Sequence, residues 1–172
     1  MKYYDNEIIE RGGLKFRVSF PYDDCADLPW EQGDCNGVVT EWTNRAKKPC
    51  ERILNSDRTL HRYYDVQASM KKAVDVWGCE KGEDAAKAVD ADFEYLRQFC
   101  NNQWHYIVVC VDRLSEDGQV LSSDALGSVE DSNDAYVESI TDEMIDSMFA
   151  NYQTELLTQY SLDHVIQSMV QS

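Results

Sequence analysis

The chain has 172 residues, 43% of them apolar and 28% charged, with four Trp, ten Tyr and five Phe. That is enough length and aromatic surface to bury a core, which excludes bulk disorder, and no apolar run approaches the ~18 residues of a membrane span. Sixteen basic against 32 acidic side chains leave a formal charge of −16, which repels phosphate at long range.

Residues Met1 to Glu7 contain no apolar h-region, so the chain is expected to stay in the cytoplasm where it is made. Met1 to Ile9 is expected to pair, through a turn at Gly12-Gly13, with the strictly alternating strand Leu14-Lys15-Phe16-Arg17-Val18-Ser19-Phe20, which Pro21 ends. Residues 21–50 hold all three prolines, Gly33, Gly37, Trp30 and Trp42, and read as a long irregular stretch. Short strands are expected at Arg52 to Asn55 and Leu60 to Tyr64, around a turn at Asn55-Ser56-Asp57. Asp65 caps a helix to about Trp77, with Val66, Met70, Ala73 and Trp77 at helical spacing and Gly78 ending it. A second helix, about Glu83 to Phe99, has an apolar face of Ala86, Val89, Phe93, Leu96 and Phe99 with Cys100. The β-branched and aromatic run Trp104 to Val111 predicts a buried strand, and Asp117-Gly118 a hairpin turn into strands at Gln119 to Leu121 and Ala125 to Val129. The last stretch is helical through Val137, Ile140, Met144, Met148, Tyr152 and Leu156, with a break before a second piece, Ser161 to Val170.

These elements predict a single α+β domain over residues 1–172, a small, mostly antiparallel sheet packed with three to four helices. Residues 1–64 give the hairpin and long loop, 65–102 the helices, 103–130 the strands and 131–172 an acidic helical part. The six cysteines, without a secretory signal, read as free thiols, with Cys100 and Cys110 as small core residues.

Charge is the most informative feature. No Lys or Arg follows Arg113, whereas 12 acidic residues do. Asp134, Glu138, Asp142 and Asp146, preceded by Asp131, are spaced four apart and line one helical face, about 6 Å apart along the axis. Such a ladder is spaced like phosphates on a nucleic-acid strand and suits a basic groove on another protein, while the opposite apolar face serves as core or as the seam with a second copy. The plain alternative is a solvated, solubilising face.

A second cluster, Arg45, Lys47, Lys48, Arg52, Arg58 and Arg62 with Trp42, His61, Tyr63 and Tyr64, combines cations with stacking rings, as single-stranded nucleic-acid sites do. Internal pairing with the acidic side chains is the alternative. The loop acids Asp23, Asp24, Asp27, Glu31 and Asp34 lack the glycine and glutamate positions of an EF-hand, leaving an irregular cation site or an enzymatic carboxylate pair as a third reading. No phosphate-binding loop, nucleophile elbow or Cys-x-x-Cys occurs, and the cysteines and histidines lack paired zinc spacing. No catalytic residue, metal or cofactor is therefore assigned, and a non-enzymatic role is favoured.

Several segments carry a resemblance. Glu31-Gln32-Gly33-Asp34-Cys35-Asn36-Gly37 after Pro29-Trp30, Lys48-Pro49-Cys50-Glu51-Arg52, Tyr63-Tyr64-Asp65-Val66-Gln67-Ala68 before Trp77-Gly78, Asp92 to Arg97, Cys100 to Tyr106, and Leu126 to Ser132 resemble a family of small, acidic, phage-encoded accessory proteins. That family has no settled activity, so no catalytic residue carries over. The resemblance implies a bacterial host cytoplasm and, as partner, a host nuclease, polymerase or defence complex, for which the charge ladder offers the docking face.

Overall fold

The computed structural model describes residues 6–170, with side chains described through Ser161. The first strand was expected over Met1 to Ile9, of which residues 1–5 lie outside the described residues. The chain is α+β and groups into two compact units. One is built from the residues up to Asp24 and from Tyr106 onward, and the other is Cys25–His105. The second is thus an insertion between two neighbouring strands of the first.

In the first unit, β1 (Glu7–Arg11) and β2 (Leu14–Ser19) form the expected hairpin. Gly12 and Gly13 turn it with φ of 60° and 80°, a region that only glycine enters without strain. β6 (Tyr106–Leu114) pairs with β2, and β7 (Val120–Glu130) with β6, giving an antiparallel sheet in the order β1-β2-β6-β7. The two short strands expected after Gly118 are one strand, kept in register by an irregularity where Ser128 takes φ 55° and donates its N–H to Asp23.

α3 (Asp134–Val170) covers one face of this sheet. Val137, Ile140, Met144, Ile145 and Met148 pack on Phe16, Val18, Ile107, Val109, Val111 and Val129. The expected break before Ser161 does not occur. The helix contains neither Gly nor Pro, and Thr154, Thr158 and Ser161 return their hydroxyls to the carbonyl four residues back. Every side chain from Gln153 to Ser161 is exposed, so Leu156, expected on the apolar face, is not part of the core.

In the second unit, β3 (Val38–Val39), β4 (Glu51–Asp57) and β5 (Leu60–Asp65) make an antiparallel sheet in the order β3-β5-β4. The turn is at Arg58-Thr59 instead of Asn55 to Asp57, because Arg58 takes the positive φ of 53°. α1 (Val66–Asp75) starts where Asp65 Oδ1 accepts the Ala68 N–H at 2.9 Å. α2 (Glu83–Cys100) buries Ala85, rather than Ala86, with Val89, Phe93 and Leu96. Trp104 lies before β6 and stacks on Tyr95, with ring centroids 4.7 Å apart.

The expected irregular stretch is shorter than residues 21–50. A 3-10 turn at Pro29–Glu31, strand β3 and a bridge between Thr43 and His61 give it structure. It is tied down by buried polar groups. Asp92 accepts from Tyr64 Oη at 2.7 Å and from Gly37 N at 2.9 Å, and Ser69 Oγ accepts from Val38 N at 2.9 Å. Burial pushes the Asp92 carboxyl up, against those two hydrogen bonds. Among the described residues no helix is long and apolar enough to cross a membrane, and all six cysteines are free; Cys100 and Cys110 are half-buried.

Candidate functional site

The two units differ in charge. The residues up to Asp24 and from Tyr106 onward hold 18 acidic and five basic side chains, net −13, whereas Cys25–His105 holds 14 and 11, net −3. The excess negative charge therefore belongs to one structural unit, and its helix α3 carries seven of the 18 acidic residues and no Lys or Arg.

Asp134, Glu138, Asp142 and Asp146 are all exposed on α3, winding from the flank of the buried Val137, Ile140, Met144 and Met148 stripe toward its far side. The lack of Lys and Arg on the helix itself does not leave the ladder without cations, because Arg11 from β1 reaches two of its members. Alternation on β1 turns Glu7, Ile9 and Arg11 toward α3. Arg11 then forks between two successive turns, with Nη2 at 2.6 Å from Asp142 Oδ1 and Nη1 at 2.5 Å from Asp146 Oδ1. These two bonds raise the guanidinium's pKa further. The side chains of Asp142 and Asp146 nevertheless remain 60% and 67% exposed. Glu138 makes no hydrogen bond or ion pair with any described residue, and Asp131 lies half-buried in the turn before α3. At the far end of the sheet Arg113 sits over the Tyr152 ring, 4.5 Å to its centroid, and 3.9 Å from Glu155.

Beside the Arg11 fork, one turn toward the start of α3, an open groove of about 260 Å³ lies between hairpin and helix. Ile9, Val18, Phe20 and Thr141 line it, with Glu7, Glu138 and Asp142. Glu7, like Glu138, has no hydrogen-bond or ion-pair partner among the described residues.

The basic–aromatic segment is largely self-satisfied. Arg45 holds Glu51 bidentately at 2.5 and 2.7 Å and lies over Tyr63. With the Lys48 N–H it keeps the Glu51 carboxyl down at about 2. Lys47 Nζ donates to the Glu51 carbonyl at 3.1 Å. Arg52 bonds Asp90 and Glu94 and lies 3.6 Å over the centre of the Phe93 ring. Arg62 is set between Trp30 and Trp42, at 5.0 and 4.7 Å from their centroids, with Nε buried and unbonded. Among the described residues the side chains of Lys48 and Arg58 make no hydrogen bond or ion pair, while the other four cations of the cluster are engaged within the unit, so the sequence cluster does not become a basic binding face.

The acidic loop is likewise dispersed. Asp23 accepts from Ser128 N, Glu31 from Leu28 N, and Asp34 pairs with Lys72 at 3.4 Å. Among the described residues no group of three or more His, Cys, Asp or Glu is placed to hold a metal ion.

The fold and this face define the chain as an α+β protein with two antiparallel sheets and an anionic helix. No family model, no curated protein and no solved structure matches it.

Proposed function

We propose that this chain is a non-enzymatic docking protein whose acidic unit binds a basic protein surface. In the phage-accessory setting that its sequence resembles, that surface belongs to a host defence or DNA-handling protein. The observation that carries the reading is the net −13 of one unit, seven of whose 18 acidic residues lie on a helix that has no Lys or Arg of its own. Like charges on one face cost stability, so the arrangement is favoured where a partner supplies the counter-charge. Asp134, Glu138, Asp142 and Asp146 are its central contacts, with Arg11 fixing the last two as a braced pair.

The test compares wild type with the variant in which these four are Asn or Gln, as bait in lysate of an infected host. The expected result is a specific captured protein, released by salt and lost with the variant, whose circular dichroism stays native. Equal capture by both proteins would refute the reading.

A further inference from the structure

We infer that the groove between β1, β2 and α3 is a receptor for one arginine side chain of the docking partner, an inference that rests on the docking reading and assigns its anchor point. The chain already contains the arrangement. Arg11 bridges Asp142 and Asp146, four residues apart on α3. One turn earlier, Glu138 and Asp142 stand in the same four-residue relation, but the β1 position beside them is Ile9 rather than a cation. A guanidinium entering from outside would repeat the Arg11 fork there, with Glu7 as a third acceptor.

The rest of the groove suits the stem of that side chain. The half-buried Ile9 and Phe20 give an apolar floor, backed from beneath by the fully buried Val18. Arginine lays its methylenes on such a surface while its planar fork binds carboxylates bidentately, a match that the compact lysine ammonium makes less well. Glu7 and Glu138, which have no hydrogen-bond or ion-pair partner among the described residues, are the complement that this fork requires.

The experiment titrates the full, isotope-labelled chain with an acetylated, amidated Gly-Arg-Gly peptide, and with the same peptide carrying lysine or the uncharged isostere citrulline. Saturable methyl shifts at Ile9, Val18 and Thr141 are expected with arginine, weaker ones with lysine and none with citrulline. Glu138→Gln should weaken arginine binding about tenfold, or 1.4 kcal/mol, with an unchanged unfolding temperature. Methyl shifts confined to Leu156 or Leu157, on α3 outside the groove, or equal binding of citrulline, would overturn the groove assignment. A hexa-arginine peptide, added separately, distinguishes the two ideas. Salt-sensitive binding of it without groove shifts removes the anchor and leaves docking in place, whereas no binding at low salt removes both.

Discussion

Replacing Gly12 by alanine isolates the contact that seats α3 on the hairpin. A Cβ at Gly12 would lie 2.4 Å from Phe149 Cε2 and 2.6 Å from its Cζ, at a φ of 60°. At Gly13, with φ 80°, a Cβ meets nothing within 4 Å. Both substitutions force a left-handed backbone on an L-residue, costing about 1–2 kcal/mol. Only Gly12→Ala adds overpacking against the ring, about 1–3 kcal/mol more. Gly13→Ala should therefore destabilise by about 1–2 kcal/mol and Gly12→Ala by about 2–5 kcal/mol. At ~2–4 °C per kcal/mol for a chain of this size, the pair should differ visibly in thermal unfolding. Phe149→Leu, which removes the ring edge, should recover part of the Gly12→Ala loss in a double-mutant cycle. Equal destabilisation by the two alanines, within about 0.5 kcal/mol, would refute the close approach of α3 to the hairpin tip.

In the second unit, a Cβ at Gly37 would lie 2.4 Å from Tyr64 Oη and 2.6 Å from Ser69 Oγ, so Gly37→Ala should cost at least about 2 kcal/mol by urea denaturation. Glu51 is held down from 4.5 to about 2, so its contribution is complete above pH 4.5 and is lost as the pH falls toward 2; Glu51→Gln should flatten that part of an acid-denaturation curve. Asp92 is raised by burial and acts oppositely: its contribution is fullest below the unfolded value of 3.8 and declines as the pH rises through its folded pKa, so Asp92→Asn should remove that decline in urea stability measured across pH. Leu157→Gln and Tyr160→Gln, at side chains 70% and 75% exposed, should change thermal stability by no more than about 0.5 kcal/mol.

Local pattern revealed most elements because their signals are local. Alternation in Leu14 to Phe20 gave β2 and its buried Phe16 and Val18, and Asp65 gave the start of α1. The misses have distant causes. Ala85 displaces Ala86 by one residue because the helix is rotated by what it packs against, which periodicity does not see. The turn at Arg58-Thr59 needed a left-handed arginine, which composition disfavours against Asn55. Composition predicts an irregular stretch over residues 21–50 because its anchors, Asp92 and Ser69, lie on helices far along the chain. The acidic stripe was fully legible as a face, but its partner Arg11 was not, being more than 130 residues away. A signal did exist: an arginine two residues after Ile9 on an alternating strand lies on the strand's buried side, where it needs an anion.

That arginine changes what the stripe offers. A nucleic-acid backbone presents equivalent charges with mobile counter-ions, whereas α3 presents carboxylates of different standing. Asp142 and Asp146 are braced by Arg11, Glu155 lies near Arg113, and Glu138 has no partner among the described residues. Braced carboxylates lose little side-chain freedom when they bind again, which favours a defined protein partner over loose attraction to any polycation. Two of the unit's own guanidinium groups are already arranged against the same helix. The face is thereby complementary in shape, as well as in sign, to arginine, and a basic partner would extend a pattern that the fold itself begins.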